Sequence, residues 1–289
     1  MDVKALIPIL LQSSLLLLVL SVGMRSSWTD LIYVFNKPAD FARALVAVNV
    51  VVPAVAVFLC SLFPLEWPTK GGLLVMAVSP LAPFASGKML NSSADRPYDV
   101  GLYAALILAA AIVVPLTVAL LNPYYARHAT VSVGDVAWFV VKSVFIPLLA
   151  GIAIATLWPR FAERAAPIAN LLTYVILLPI AVLILIKSGS QIIGLTGSGA
   201  LVVITLTVLA GLAAGHWLGG PDPGHRAALA QAAATRHPGI AALIAQGQYN
   251  ERPQVILAIV LFLLVSVLLT ALYGLWARRR LAMSAAHAE

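Results

Sequence analysis

Apolar residues run along this chain in stretches too long and too continuous for the surface helices or strands of a soluble domain. A helix that crosses a bilayer needs about 20 such residues. Nine stretches qualify: Ala5–Met24, Ala44–Phe63, Gly71–Leu90, Val100–Leu121, Val136–Leu157, Ile168–Ile186, Leu201–Leu218, Ala227–Ala245 and Val255–Trp276. Tryptophan marks their ends, at Trp67, Trp138, Trp158, Trp217 and Trp276, with Trp28 just outside one. An amphipathic indole prefers that interfacial depth. The first stretch reads as a helix rather than a signal peptide, because no small-x-small cleavage site follows it and Met24-Arg25 acts as a stop.

Composition narrows the class further. Only 10% of the 289 residues are charged, against about 25% in soluble domains, and mean hydropathy is +0.99. The remainder outside the spans is too short for a separate soluble domain, so residues 1–289 read as one all-α transmembrane domain with a tail over 277–289. The single Cys60 excludes a disulfide framework and a cysteine-built metal site. Basic residues set the orientation. Arg25, Lys37, Arg43, Arg96, Arg160, Arg164, Arg226, Arg278, Arg279 and Arg280 share the side of the C-terminus. Lys4, Lys70, Arg127, Lys187, Arg252 and a snorkelling Lys142 take the other. That excess puts the N-terminus outside and the C-terminus in the cytoplasm, as a multi-pass protein of the cytoplasmic (plasma) membrane. The Arg278–Arg280 run is then a topology anchor, not a nucleic-acid patch.

The chain also echoes itself. Asp95-Arg96-Pro97 and Glu251-Arg252-Pro253 stand at an offset of 156, each joining a short, interrupted span to a long one. The same offset lays Pro80 and Pro83 of the third span on Arg236 and Gly239 of the eighth. The third span runs inward and the eighth outward, so the two halves, about 5–121 and 136–276, form inverted repeats, the first one helix short. Inverted repeats with a broken helix in matching positions are a signature of secondary transporters.

The two interruptions carry the candidate chemistry. Pro80 and Pro83, with Gly87 and Lys88 close behind, predict an unwound third helix, because each proline removes a backbone donor and clashes with the preceding turn. Such a break is tolerated only within protein or beside an aqueous cavity. In the eighth span Arg236-His237-Pro238-Gly239 sits at mid-membrane depth. Arginine there costs roughly a few to more than ten kcal/mol, so Arg236 must meet a carbonyl, water or anion. A structural arginine bonding carbonyls freed by Pro238 is the alternative to an anion-binding one. Asn49, isolated in an apolar run, faces the bundle interior for either substrate binding or interhelical bonding. Gly211 and Gly215 form a small-xxx-small packing face, and Gly197-Ser198-Gly199 is a loop.

No Asp or Glu lies inside any span. That disfavours cation–proton antiport and carboxylate-dyad proteolysis, both of which need buried acids. His216, His225 and His237 lack metal-ligand spacing. An intramembrane enzyme would have only His237 as a general base, and no polar stripe suits a channel. His237 is also the one candidate proton carrier away from the interfaces.

With these features in view, the chain resembles the bile acid:sodium symporter family. Leu20-Ser21-Val22-Gly23-Met24 and Asn49-Val50-Val51-Val52-Pro53 are similar to that family's first characteristic blocks. The resemblance implies a core domain built on two unwound helices that cross at mid-membrane, a panel domain of the remaining spans, and transport of an organic anion. The chain departs from the family's pattern at both crossings. Where the family has Ser-Asn, this chain reads Ala82-Pro83-Phe84-Ala85-Ser86. Where the family has a sodium-binding Glu followed by Gln-Asn, it reads Ala234-Thr235-Arg236-His237-Pro238-Gly239.

The expectation is a secondary transporter of a small or amphipathic organic anion, not an enzyme. The helix breaks are at Pro80, Pro83, Pro238 and Gly239. The anion is held by Asn49, Ser86, Lys88, Asn91, Thr235, Arg236 and His237. No cofactor is expected. Sodium coupling is the alternative, through Ser79, Ser86, Asn91, Gln231 and Thr235 without a carboxylate. The partners are the substrate and membrane lipids, with no nucleic acid; a homo-oligomer stays open.

Overall fold

The computed structural model describes residues 3–29, 32, 36–81, 96–125, 132–248 and 253–286. The helices are α1 (Val3–Arg25), α2 (Pro38–Leu62), α3 (Trp67–Val78), α4 (Arg96–Tyr125), α5 (Val133–Leu157), α6 (Pro159–Gly197), α7 (Ala200–Leu218), α8 (Pro223–Ala234), α9 (Pro238–Gln248) and α10 (Pro253–Ala286). No strand occurs among the described residues. Helices α2, α5, α7 and most of α4 and α10 are long and apolar enough to cross a membrane. Ile112, Leu120, Ile186 and Ile193 are largely exposed, which is the condition of a lipid-facing surface.

Local chemistry explains the boundaries. Proline at the first or second helical position opens α2, α3, α6 and α8, where its missing N–H costs nothing. Ser132 caps α5 by accepting from Asp135 N at 3.2 Å, and Asp222 caps α8 by accepting from His225 N at 2.9 Å. Gly199, at φ 86°, turns the chain between α6 and α7, as the loop reading requires.

Several helices outrun the expected spans. Helix α6 begins at Pro159, so the stretch with Arg160 and Arg164 is helical rather than a loop. Helix α10 carries Arg278–Arg280 beyond Trp276 as continuing helix. The physical reason is shared: leaving the hydrocarbon does not by itself end a helix, and α6 runs on through its internal Pro167. Lys142, expected near a span end, lies inside α5 with its side chain exposed.

Two packing groups follow. Helix α1 lies against α6 and the second half of α5. Gly23 and Gly151 meet backbone to backbone there, since a Cβ on either would come within 3.0 Å of the other helix. Met24 packs beside them on Ala162, Ala166 and Ala169, and Thr173 Oγ1 donates to Ser14 O at 3.3 Å. The second group holds the interruptions. Helix α8 runs along the Gly211–Gly215 face of α7 so closely that a Cβ on Gly215 would enter the backbone of Ala230. Helix α3 packs on α10, with Gly72 against the Val255 carbonyl.

Two turns are wound as π-helix, Val46–Val51 in α2 and Val141–Phe145 in α5. Each precedes a proline, Pro53 and Pro147. A helix approaching a residue with no N–H loses ladder bonds one turn back, and the slack is taken up as a π bulge.

Candidate functional site: the crossing of two broken helices

Helix α3 ends at Val78, and Ser79 turns extended at ψ 147°. Helix α8 ends at Ala234, and Thr235 is extended at ψ 133° before Pro238 opens α9. The two breaks touch. His237 N donates to Pro80 O at 2.9 Å and Arg236 Nη1 to Ser79 O at 3.2 Å. The positions that echo one another in the sequence therefore meet in space, with the C-terminal ends of α3 and α8 converging. Those ends carry unpaired carbonyls and roughly half a negative charge each.

The backbone accounting at this point is nearly complete. Pro238 leaves Ala234 O without its helical donor, and Ser266 Oγ of α10 supplies one at 2.7 Å. His237 N, diverted to Pro80, leaves Ala233 O free, and Arg236 Nη2 lies 3.4 Å from it. Pro53 likewise strips a donor from the carbonyls one turn before it, and Arg236 Nη2 donates to one of them, Val48 O. One guanidinium thus binds carbonyls from three interrupted helices. Arg236 is 1% exposed and is the largest fully buried side chain among the described residues. Among the described residues no carboxylate lies within ion-pair distance of it.

Three buried nitrogens on the segments that meet here have no hydrogen-bond partner: Arg236 Nε, His237 Nε2 and, on the residue after Val48, Asn49 Nδ2. The histidine tautomer follows from geometry. Ile240 N donates to His237 Nδ1 at 3.2 Å, so Nδ1 is the acceptor that caps α9 and a neutral ring carries its proton on Nε2. All three unpaired atoms are then donors.

Other expected residues divide in two. Ser79 is fully buried and its hydroxyl donates to Met76 O at 2.8 Å; Thr235 Oγ1 donates to Gln231 O at 2.9 Å. Gln231 is buried with its amide nitrogen near Gly274 of α10. Pro80, Pro238 and Gly239 lie in or beside the breaks. Pro83, Ser86, Lys88 and Asn91 fall outside the described residues. Sequence reasoning missed Val48 and Ser266. The signals were present: Pro53 five residues after Val48, and an isolated serine in the apolar run of α10.

The sequence model of the Sodium Bile acid symporter family matches residues 13–195, well over half of the chain. The chain belongs to that family. It is accordingly a multi-pass membrane protein of the transporter class. The matched stretch includes the first break of this symporter-family fold and ends before the second, where Arg236 stands. Among curated proteins nothing matches the chain.

Proposed function

We propose that this protein is a secondary transporter that carries a small or amphipathic organic anion by alternating access, with the anion received at the crossing of the two broken helices. The observation that carries this reading is the set of unpaired donors at Asn49 Nδ2, Arg236 Nε and His237 Nε2. A buried donor left unsatisfied costs about 1–3 kcal/mol. A carboxylate is acceptor-only and takes several such bonds at once, whereas a cation or a purely apolar molecule would leave the donors as they are. The nearby guanidinium supplies the opposite charge. The half-helix N-terminus of α9 adds a further positive pole at the same depth. Thr235, partly buried at the edge of the break, completes the described part of the set; Ser86, Lys88 and Asn91 belong to it on sequence position alone.

Proton coupling through His237 finds no support here. Protonating the ring would put an N–H at Nδ1 against the Ile240 N–H that it now accepts. The N-outside, C-inside orientation rests on the distribution of Lys and Arg and would make a C-terminal fluorescent fusion emit in the cytoplasm.

Thermal unfolding of the detergent-solubilised protein against a panel of organic carboxylates, each paired with its neutral amide, tests the anion site. A ligand at 100 times its Kd stabilises the folded state by about 2.7 kcal/mol through mass action. At least one carboxylate should raise Tm where its amide does not. If amides and carboxylates perform alike, the anion site is refuted.

A further inference from the structure

Sodium is the ion that membership of this family implies as co-substrate, and the described residues do not fit it. In transporters built on broken helices, a coupling cation is held by unwound carbonyls and by the C-terminal ends of half-helices. Here those groups are engaged. Ser79 O at the end of α3 receives Arg236 Nη1 at 3.2 Å, Ala233 O at the end of α8 lies 3.4 Å from Arg236 Nη2, and Val48 O of the π turn receives Nη2 as well. Ala234 O is taken by Ser266, and Pro80 O by His237 N. No carboxylate accompanies them among the described residues.

We infer that Arg236 is a resident cation, a covalently fixed replacement for the sodium ion at the helix crossing, and that the protein therefore engages its substrate without sodium. The inference deepens the anion-transporter reading above and rests on it for the role of the site. A planar, always-charged guanidinium with five donors suits this role better than an ammonium, because its donors fan out to several carbonyls at once. Its two terminal nitrogens hold the crossing together while Nε stays unpaired. The same group therefore closes the break and keeps one charged donor for an anion. A sodium ion placed beside it would be repelled. At an effective dielectric of about 20, unit charges about 6 Å apart weaken its affinity by roughly a hundredfold.

The wild-type protein is compared in NaCl, KCl and choline chloride at constant ionic strength, reading Tm alone and then Tm with the best carboxylate of the panel. The expected result is a Tm that rises no more in sodium than in potassium, and a carboxylate affinity within about twofold across the three salts. Arg236→Gln should lose the carboxylate shift, and Arg236→Lys should keep part of it. A saturable, sodium-specific rise in Tm at millimolar concentrations overturns the inference, as does carboxylate binding that requires sodium; the anion-transporter reading survives either result. Sodium indifference without any carboxylate response does the reverse, sustaining the resident cation and removing the proposed substrate class. The sodium comparison needs only the wild-type chain, so it decides the matter even if the arginine variants fail to fold.

Discussion

Helices α2 and α5 each contain the same local device and put it to different use. In both, a polar residue stands four positions before a proline, Asn49 before Pro53 and Ser143 before Pro147, and the turn that holds it is wound as π-helix. In both, that residue leaves one side-chain atom unpaired, Asn49 Nδ2 and Ser143 Oγ. The surroundings differ. The α2 turn packs on α7 and α8, next to the break, and its Val48 carbonyl receives Arg236. The α5 turn packs on α1 and α4, away from the break. A proline loosens a helix wherever it occurs, but the loosened turn becomes part of a charged site only where a cation can reach it.

Three experiments sharpen that contrast, and the largest effect should come from the arginine. In Arg236→Gln, amide hydrogen exchange should speed up across the α2 π turn and the breaks at 79–81 and 235–237, and stay unchanged across the α5 π turn. Equal acceleration at both π turns would mean that Arg236 acts through global stability and not through the carbonyls it binds. Next, Asn49→Ala should weaken carboxylate binding about fivefold, the worth of one net hydrogen bond of about 1 kcal/mol. Ser143→Ala should leave binding untouched and raise stability by up to about 1 kcal/mol, because it deletes a buried hydroxyl with no partner. A loss of binding in both would show that the two turns share one site. The smallest change is expected from the prolines. Pro53→Ala restores an N–H that competes with Arg236 for a carbonyl, and should shift carboxylate affinity about two- to threefold. Pro147→Ala should not shift it at all. Isothermal titration of both variants checks the difference.

The glycines add a second kind of contrast. Gly211 and Gly215 let α8 lie on α7 near the break, while Gly23 and Gly151 do the same for α1 and α5 in the other packing group. The first pair was legible as a small-xxx-small face. The second was not, because its two members come from helices distant in sequence, and each alone is an ordinary glycine in an apolar run. Ser266 was overlooked for a similar reason. A lone serine in a long span marks a donor, but the carbonyl it serves, Ala234 O, is identified only once the fold brings the two together.

The sequence by itself determined the membrane class, the approximate spans and the positions of the two breaks. Those properties depend on apolar length, on proline and glycine, and on the absence of acids, all of which act within a turn or two of the residues that encode them. It also required a partner for Arg236, since a guanidinium cannot stay unbonded at that depth. Only the tertiary structure decided which partners those are. The carbonyls come from Ser79 and Val48, 157 and 188 residues away. A proline announces that a carbonyl will be freed, but the donor that satisfies it is supplied by whichever helix the fold brings alongside. Such a pairing across the bundle leaves no local trace in the chain.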